Sequence, residues 1–277
     1  MTNPKLIREL RWGPPKSFKT GATVGTYPKP LLYLGFDTGG LDVIPSAKAT
    51  KDASLVQFNC SYEDIIFVPP GDLNKWINKP KSEMPKILAI DYTTVRPQTI
   101  NLDYMPSKSQ EGLQKFQAPT TGDFNQLCNR TSLPFETIVW DGVTGYMETV
   151  LSHFSSANPG RMADARDWAF QVGQMVKRVM CSINMMPCHV VTLMHDEMEK
   201  NELSQQVSVV PSVYGKELKN IAGAFSSQFF HARKNQEGKP VVLTSDKMFV
   251  RGVGGRWPVL SGEVAPDFKS IYGKELL

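Results

Sequence analysis

"GPPKSFKTGATVGTYPKPLLYLGFDTGG", residues 13–40, decides the fold of this 277-residue chain. Its first eight residues have the length and both ends of a phosphate-binding loop, G-x-x-x-x-G-K-[ST], with Gly13, Lys19 and Thr20 at the required offsets. Such a loop aims backbone N–H groups at phosphate oxygens, backed by the dipole of the following helix. The lysine reaches the terminal phosphates and the hydroxyl reaches magnesium. Pro14, Pro15, Lys16 and Ser17 fill the loop and add a second cation and a hydroxyl. Phe18 stands where the pattern has its second glycine, so a distorted or weak loop is expected. A short helix follows, then the apolar run "PLLYLGFD" ending in Asp37. Loop, helix and buried strand in this order are the succession that a nucleotide-binding α/β unit requires; the other reading is a Gly-Pro-Pro turn before an ordinary helix with a solvated Lys19.

Working outward, such a site needs a carboxylate at the tip of a neighbouring strand to hold magnesium through water. Asp141 closes "FETIVWD" and is followed by an amphipathic helix bearing Val143, Met147, Val150, Leu151 and Phe154 on one face. Asp91 in "KILAID" is its rival, but a proline-rich stretch follows it, and Asp141 is favoured. His195 ends a third buried strand, "HVVTLMH", and parallel geometry brings it to the edge that carries Lys19 and Asp141. A polar residue there can sense the terminal phosphate or orient water. His153, His189 and His231 make no metal-ligand spacing with it. A longer helix is expected over residues 165–183, and strand–helix–strand succession predicts right-handed crossovers and a mostly parallel sheet.

Residues 75–134 are rich in Pro, Lys, Ser and Thr around two strand-like pieces, "KILAIDY" and "QTINLDY". The stretch at about 75–118 reads as an insertion or lid-like excursion; a long surface loop is the other reading. Toward the end, "SQFFHAR", "PVVLTS" and "KMFVRG" predict antiparallel strands added to one edge of the sheet. Apolar residues at 41% and charged residues at 21% describe a globular protein, and a formal charge of +4 permits nucleic-acid contact without requiring it. No run approaches the roughly 18 apolar residues that span a bilayer. Four scattered cysteines without C-x-x-C spacing, behind a charged start, lead us to expect a cytoplasmic location.

The order "GPPKSFKT … PKPLLYLGFDTGG … FETIVWDGVTGY … HVVTLMHDE … YGKELKNIAGAF" resembles the phage-encoded RecA-like ATP-binding proteins, small P-loop ATPases of phage recombination and single-strand annealing. The resemblance implies one RecA-like domain over residues 1–277, acting in host cytoplasm on ATP and Mg2+. It implies Lys19 and Thr20 as phosphate and magnesium ligands, Asp141 as the second magnesium acid and His195 as sensor. It also implies a ring or filament in which a neighbour's cation completes the site, with Lys247, Arg251 and Arg256 as candidates, and phage recombination or replication proteins as partners. The family's strand after the first helix commonly ends Asp-x-Glu, whereas this chain reads Asp37-Thr38-Gly39. Asp37 is left to substitute for the missing base, and hydrolysis is expected to be slow or absent. Single-stranded DNA contact would draw on Phe229, Phe230, Arg233, Lys234, Arg251, Arg256 and Trp257. The competing readings are an inactive P-loop scaffold or DNA-binding subunit, and a small-molecule kinase with residues 75–134 as its lid.

Overall fold

"RELRW" alternates in two senses: Glu9 and Arg11 face one side, Leu10 and Trp12 the other, and all four are buried. In the computed structural model this is β1 (Arg8–Trp12), the strand that leads into the loop at residue 13. The structure describes residues 6–44, 60–94, 123, 126–128, 130–147, 180–181, 185–200, 202, 205–213, 226–246, 250, 253–255 and 262–273.

Six further strands lie parallel to β1 in a single row. They are β2 (Leu31–Gly35), β3 (Ile65–Val68), β4 (Ile87–Asp91), β5 (Thr137–Asp141), β6 (His189–Met194) and β9 (Gln228–Lys234). Their spatial order is β9-β1-β6-β5-β2-β4-β3, with every neighbouring pair parallel. On the far side of β9, β10 (Pro240–Leu243) pairs antiparallel with it and β12 (Glu263–Val264) with β10, while β11 (Gly254–Gly255) also lies antiparallel to β9. A separate hairpin, β7 (Asp196–Lys200) with β8 (Val207–Pro211), rises directly after β6. The mostly parallel α/β sheet expected from the sequence is present.

Burial on both faces explains the near-continuous apolar runs. Along β2, Leu31 and Tyr33 belong to a core with Val24, Tyr27 and Phe268, while Leu32 and Leu34 belong to the opposite core with Trp140, Val143 and Tyr146. Each of these leucines is fully buried, worth about 2 kcal/mol. Register then aligns the strand ends: Gly35 pairs with both Asp91 and Asp141, and Asp141 with Leu193. The chain therefore leaves β1, β2, β5 and β6 at one carboxyl edge, where ligands of open α/β sheets bind.

Two expectations change. Ile87–Asp91, inside the stretch read as inserted, is β4, buried over its first four residues and paired between β2 and β3; both of its neighbours supply the hydrogen bonds and apolar surface that a surface excursion would lack. "QTINLDY" and residues 95–118 lie outside the described residues. The tail does add to one edge, but its first strand, β9, is parallel to β1 rather than antiparallel. Of the two expected helices, Val143, Tyr146, Met147 and Met180 are described and buried; most of residues 148–179 are outside the description.

Candidate functional site at the carboxyl edge of the sheet

The loop is held against the sheet by its first residue. A Cβ built on Gly13 would lie 2.1 Å from the carbonyl oxygen of Ala232 on β9, so only glycine fits between loop and strand. Ser17 donates its N–H to the Pro14 carbonyl at 3.3 Å, and the chain then turns through left-handed backbone at Lys16 (φ 61) and Phe18 (φ 71). Phe18 therefore adopts a left-handed conformation that glycine would take without steric cost. It is the N-cap of α1 (Lys19–Thr26), whose first helical bond runs from Ala22 N to Phe18 O at 3.1 Å. A left-handed turn is made here with a phenylalanine at the position where the pattern has glycine.

Lys19 is buried, and its ammonium donates to the carbonyls of Gly13 (2.7 Å) and Pro14 (2.8 Å) and to Ser17 Oγ (3.3 Å). Burial pushes its pKa down to about 8, a fall opposed by the carboxylates of Asp141, Asp196 and Asp37. Thr20 Oγ1 donates to Asp141 Oδ2 at 2.6 Å. Burial lifts the Asp141 carboxyl above the ordinary carboxylate range, opposed by the Thr20 hydrogen bond, aggravated by Asp37, and opposed again by Tyr33 and Lys19. The loop hydroxyl and strand-end acid thus meet directly, although β6 lies between β1 and β5.

Asp91 stays apart. It ends β4, two strands from β5 and so roughly 10 Å away, and its Oδ1 accepts from the N–H (2.9 Å) and hydroxyl (2.6 Å) of Thr93. That local turn gives the carboxylate a structural use.

His195 and Asp37 form a second pair at this edge, Nε2 to Oδ2 at 3.1 Å, both partly open to solvent. Asp37 fits beside the β5 end because glycines make room: a Cβ on Gly142 would lie 2.5 Å from Asp37 Oδ1, and one on Gly145 2.9 Å from it. A third pair, His231 Nε2 to Asp196 Oδ2 at 3.3 Å, ties β9 to the root of the β7–β8 hairpin, with the His231 ring edge-on to Trp12 at 4.4 Å. Neither Asp196 nor His231 stood out in the sequence as a site residue. Nor did Tyr33, whose hydroxyl donates to Asp141 Oδ2 at 2.8 Å; its one signal is that it carries the only side-chain polar atom in "LLYLG".

Several other sequence candidates lie elsewhere. Phe230 is wholly buried, and Phe229, partly buried, stacks on Trp12 at 5.8 Å and packs against the core. Arg233 is paired with Glu263. Lys247, Arg251, Arg256 and Trp257 are outside the described residues.

The donor set fits a phosphate-bound magnesium ion. Magnesium takes hard oxygen ligands and commonly uses one or two protein groups plus substrate phosphates. Here a hydroxyl and a carboxylate converge, and among the described residues no cluster of three or more His, Cys, Asp or Glu could hold a metal by itself. Among the same residues no helix is long and apolar enough to cross a membrane. No protein-family model matches the sequence, and no curated protein matches it either.

Proposed function

We propose that this chain is a RecA-like P-loop protein that binds ATP with Mg2+ and acts in phage DNA recombination, repair or replication. One observation carries the reading: Lys19 lies buried within its loop while Thr20, the next residue, donates to the strand-end carboxylate of Asp141 at 2.6 Å. A cation, a hydroxyl and an acid meet at the carboxyl edge of a parallel sheet, where the start of α1 adds its backbone N–H groups. The left-handed turn at Phe18 supports the same reading, because it is a conformation that glycine, the residue of the pattern, favours.

Lys19 supplies positive charge to the phosphate oxygens, and the dry surroundings that depress its pKa also strengthen that attraction. Thr20 and Asp141 would hold the magnesium ion. The ion, when bound with nucleotide, neutralises charge that develops on the phosphates. Asp37 takes the proton of the attacking water and His195, 3.1 Å away, orients its carboxylate and senses the terminal phosphate. A neighbouring subunit in a ring or filament contributes Arg251 or Arg256, and single-stranded DNA is the partner to test.

A second reading has its own support. Asp37 Oδ2 is already engaged by His195, and Gly39 stands where the family carries its glutamate. This favours a scaffold that holds nucleotide without turning it over.

The test is equilibrium binding of a fluorescent ATP analogue with Mg2+, wild type against Lys19→Ala, with turnover measured with and without single-stranded DNA. Binding that disappears in Lys19→Ala supports the loop, and turnover then separates ATPase from scaffold. Absence of wild-type binding up to millimolar nucleotide overturns the proposal.

A further inference from the structure

We propose that Tyr33 is a positioning residue for the magnesium-holding carboxylate: its hydroxyl clamps Asp141 Oδ2 from the β2 side while Thr20 holds the same oxygen from the loop. The inference rests on the nucleotide-site reading above and deepens it. Both donors reach one oxygen, Thr20 Oγ1 at 2.6 Å and Tyr33 OH at 2.8 Å. A carboxylate buried to 2% exposure keeps a fixed orientation only if such bonds hold it. Thr20 is the second residue of α1, directly behind the loop. Tyr33 belongs to a central strand, so the two donors hold the oxygen from different elements.

The second observation is the space made for the ring. A Cβ on Gly35 would lie 2.6 Å from Tyr33 Cε1, and one on Gly40 would lie 2.2 Å from its hydroxyl and 2.9 Å from Asp141 Oδ2. Neither glycine has the positive φ that would require glycine for backbone reasons. Two glycines, one at the end of β2 and one in the following turn, thus clear the path by which a 2%-exposed tyrosine reaches Asp141. Phenylalanine would pack the strand equally well; the hydroxyl's contact is Asp141. Partners of this kind, one shell out from a metal, typically change metal affinity or activity 10–100-fold, on the order seen when they are removed.

The experiment titrates Mg2+ against binding of a fluorescent ATP analogue in wild type, Tyr33→Phe, Gly35→Ala and Asp141→Asn, with EDTA baselines and thermal melts. Gly35→Ala reaches the same hydrogen bond by pushing on the Tyr33 ring, with the Cβ 2.6 Å from Cε1, so the question stands if Tyr33→Phe does not fold. The expected result is a Mg2+ midpoint raised about tenfold in Tyr33→Phe and in Gly35→Ala, with the EDTA baseline at the wild-type value. A purely structural tyrosine would instead lower the melting temperature and leave the midpoint in place. A midpoint within twofold of wild type, beside an Asp141→Asn protein that loses Mg2+ dependence, overturns the role of Tyr33 alone. If Asp141→Asn keeps wild-type Mg2+ dependence, the site reading fails and this inference with it.

Discussion

Phe18 shows how far one residue can depart from a pattern while the backbone obeys it. Its φ of 71 is left-handed, a conformation that costs an L-residue about 1–2 kcal/mol. The half-buried ring recovers part of that cost, and Gly21, whose Cβ would sit 3.4 Å from the ring, leaves room for it. Phe18→Gly is therefore expected to leave the melting temperature nearly unchanged, strain relief balancing lost packing. Phe18→Val, β-branched in a left-handed turn, is expected to lower stability by about 1–2 kcal/mol in denaturant unfolding. Lys19 makes a pH prediction. Its pKa, pushed down to about 8, lies below the ordinary lysine value of roughly 10.4 that the unfolded chain keeps. Between those values the unfolded state binds more protons, so stability rises with pH through that window. Lys29, also pushed down to about 8 by burial, adds the same sign. Phosphate binding favours charged Lys19, so nucleotide affinity is expected to fall about tenfold per pH unit above about 8, measured by fluorescence titration.

At the scale of elements, the loop's shape depends on what lies on either side of it. Gly13 is pressed against the β9 backbone, and Gly13→Ala is expected to cost about 2–3 kcal/mol and to weaken nucleotide binding, because the loop must lift off Ala232 to admit a methyl group. The other end of α1 is fastened by the Pro-Lys-Pro segment. Lys29 Nζ donates to the carbonyls of Val24 (2.5 Å) and Tyr27 (2.8 Å), placing a cation where the helix dipole is negative. In β4, "KILAID" reads as a strand locally, yet the proline-rich residues around it suggested a surface excursion, and only pairing with β2 and β3 shows it to be interior.

Across the whole molecule, a buried polar network joins residues far apart in sequence. Arg11 bonds Glu9 Oε1 at 2.6 Å, the Tyr27 hydroxyl at 2.8 Å and the Pro266 carbonyl at 3.0 Å; Glu9 Oε2 accepts from Tyr27 and from Tyr272. β1, the end of α1 and the short helix Phe268–Tyr272 are thereby locked together behind the loop strand. Glu9→Gln, which leaves Arg11 charged and unpaired in the core, is expected to cost about 3–5 kcal/mol by chemical denaturation. Replacing both together, Glu9→Leu with Arg11→Met, is expected to cost markedly less, because no buried charge is then stranded.

What this sequence determined by itself was local. The spacing of Gly13, Lys19 and Thr20 specified the loop, and the apolar runs through Tyr33, Trp140 and Val191 specified strands buried on both faces. β1 escaped notice because Arg8, Glu9 and Arg11 look solvated until the partners that neutralise Glu9 and Arg11 are known. Tertiary structure alone decided which acid meets Thr20, that β9 runs parallel to β1, and that His195 joins Asp37 while Tyr33 joins Asp141. Each of those outcomes depends on the lateral order of strands, which is set by long-range pairing and shared burial. A residue's neighbours along the chain carry no record of it.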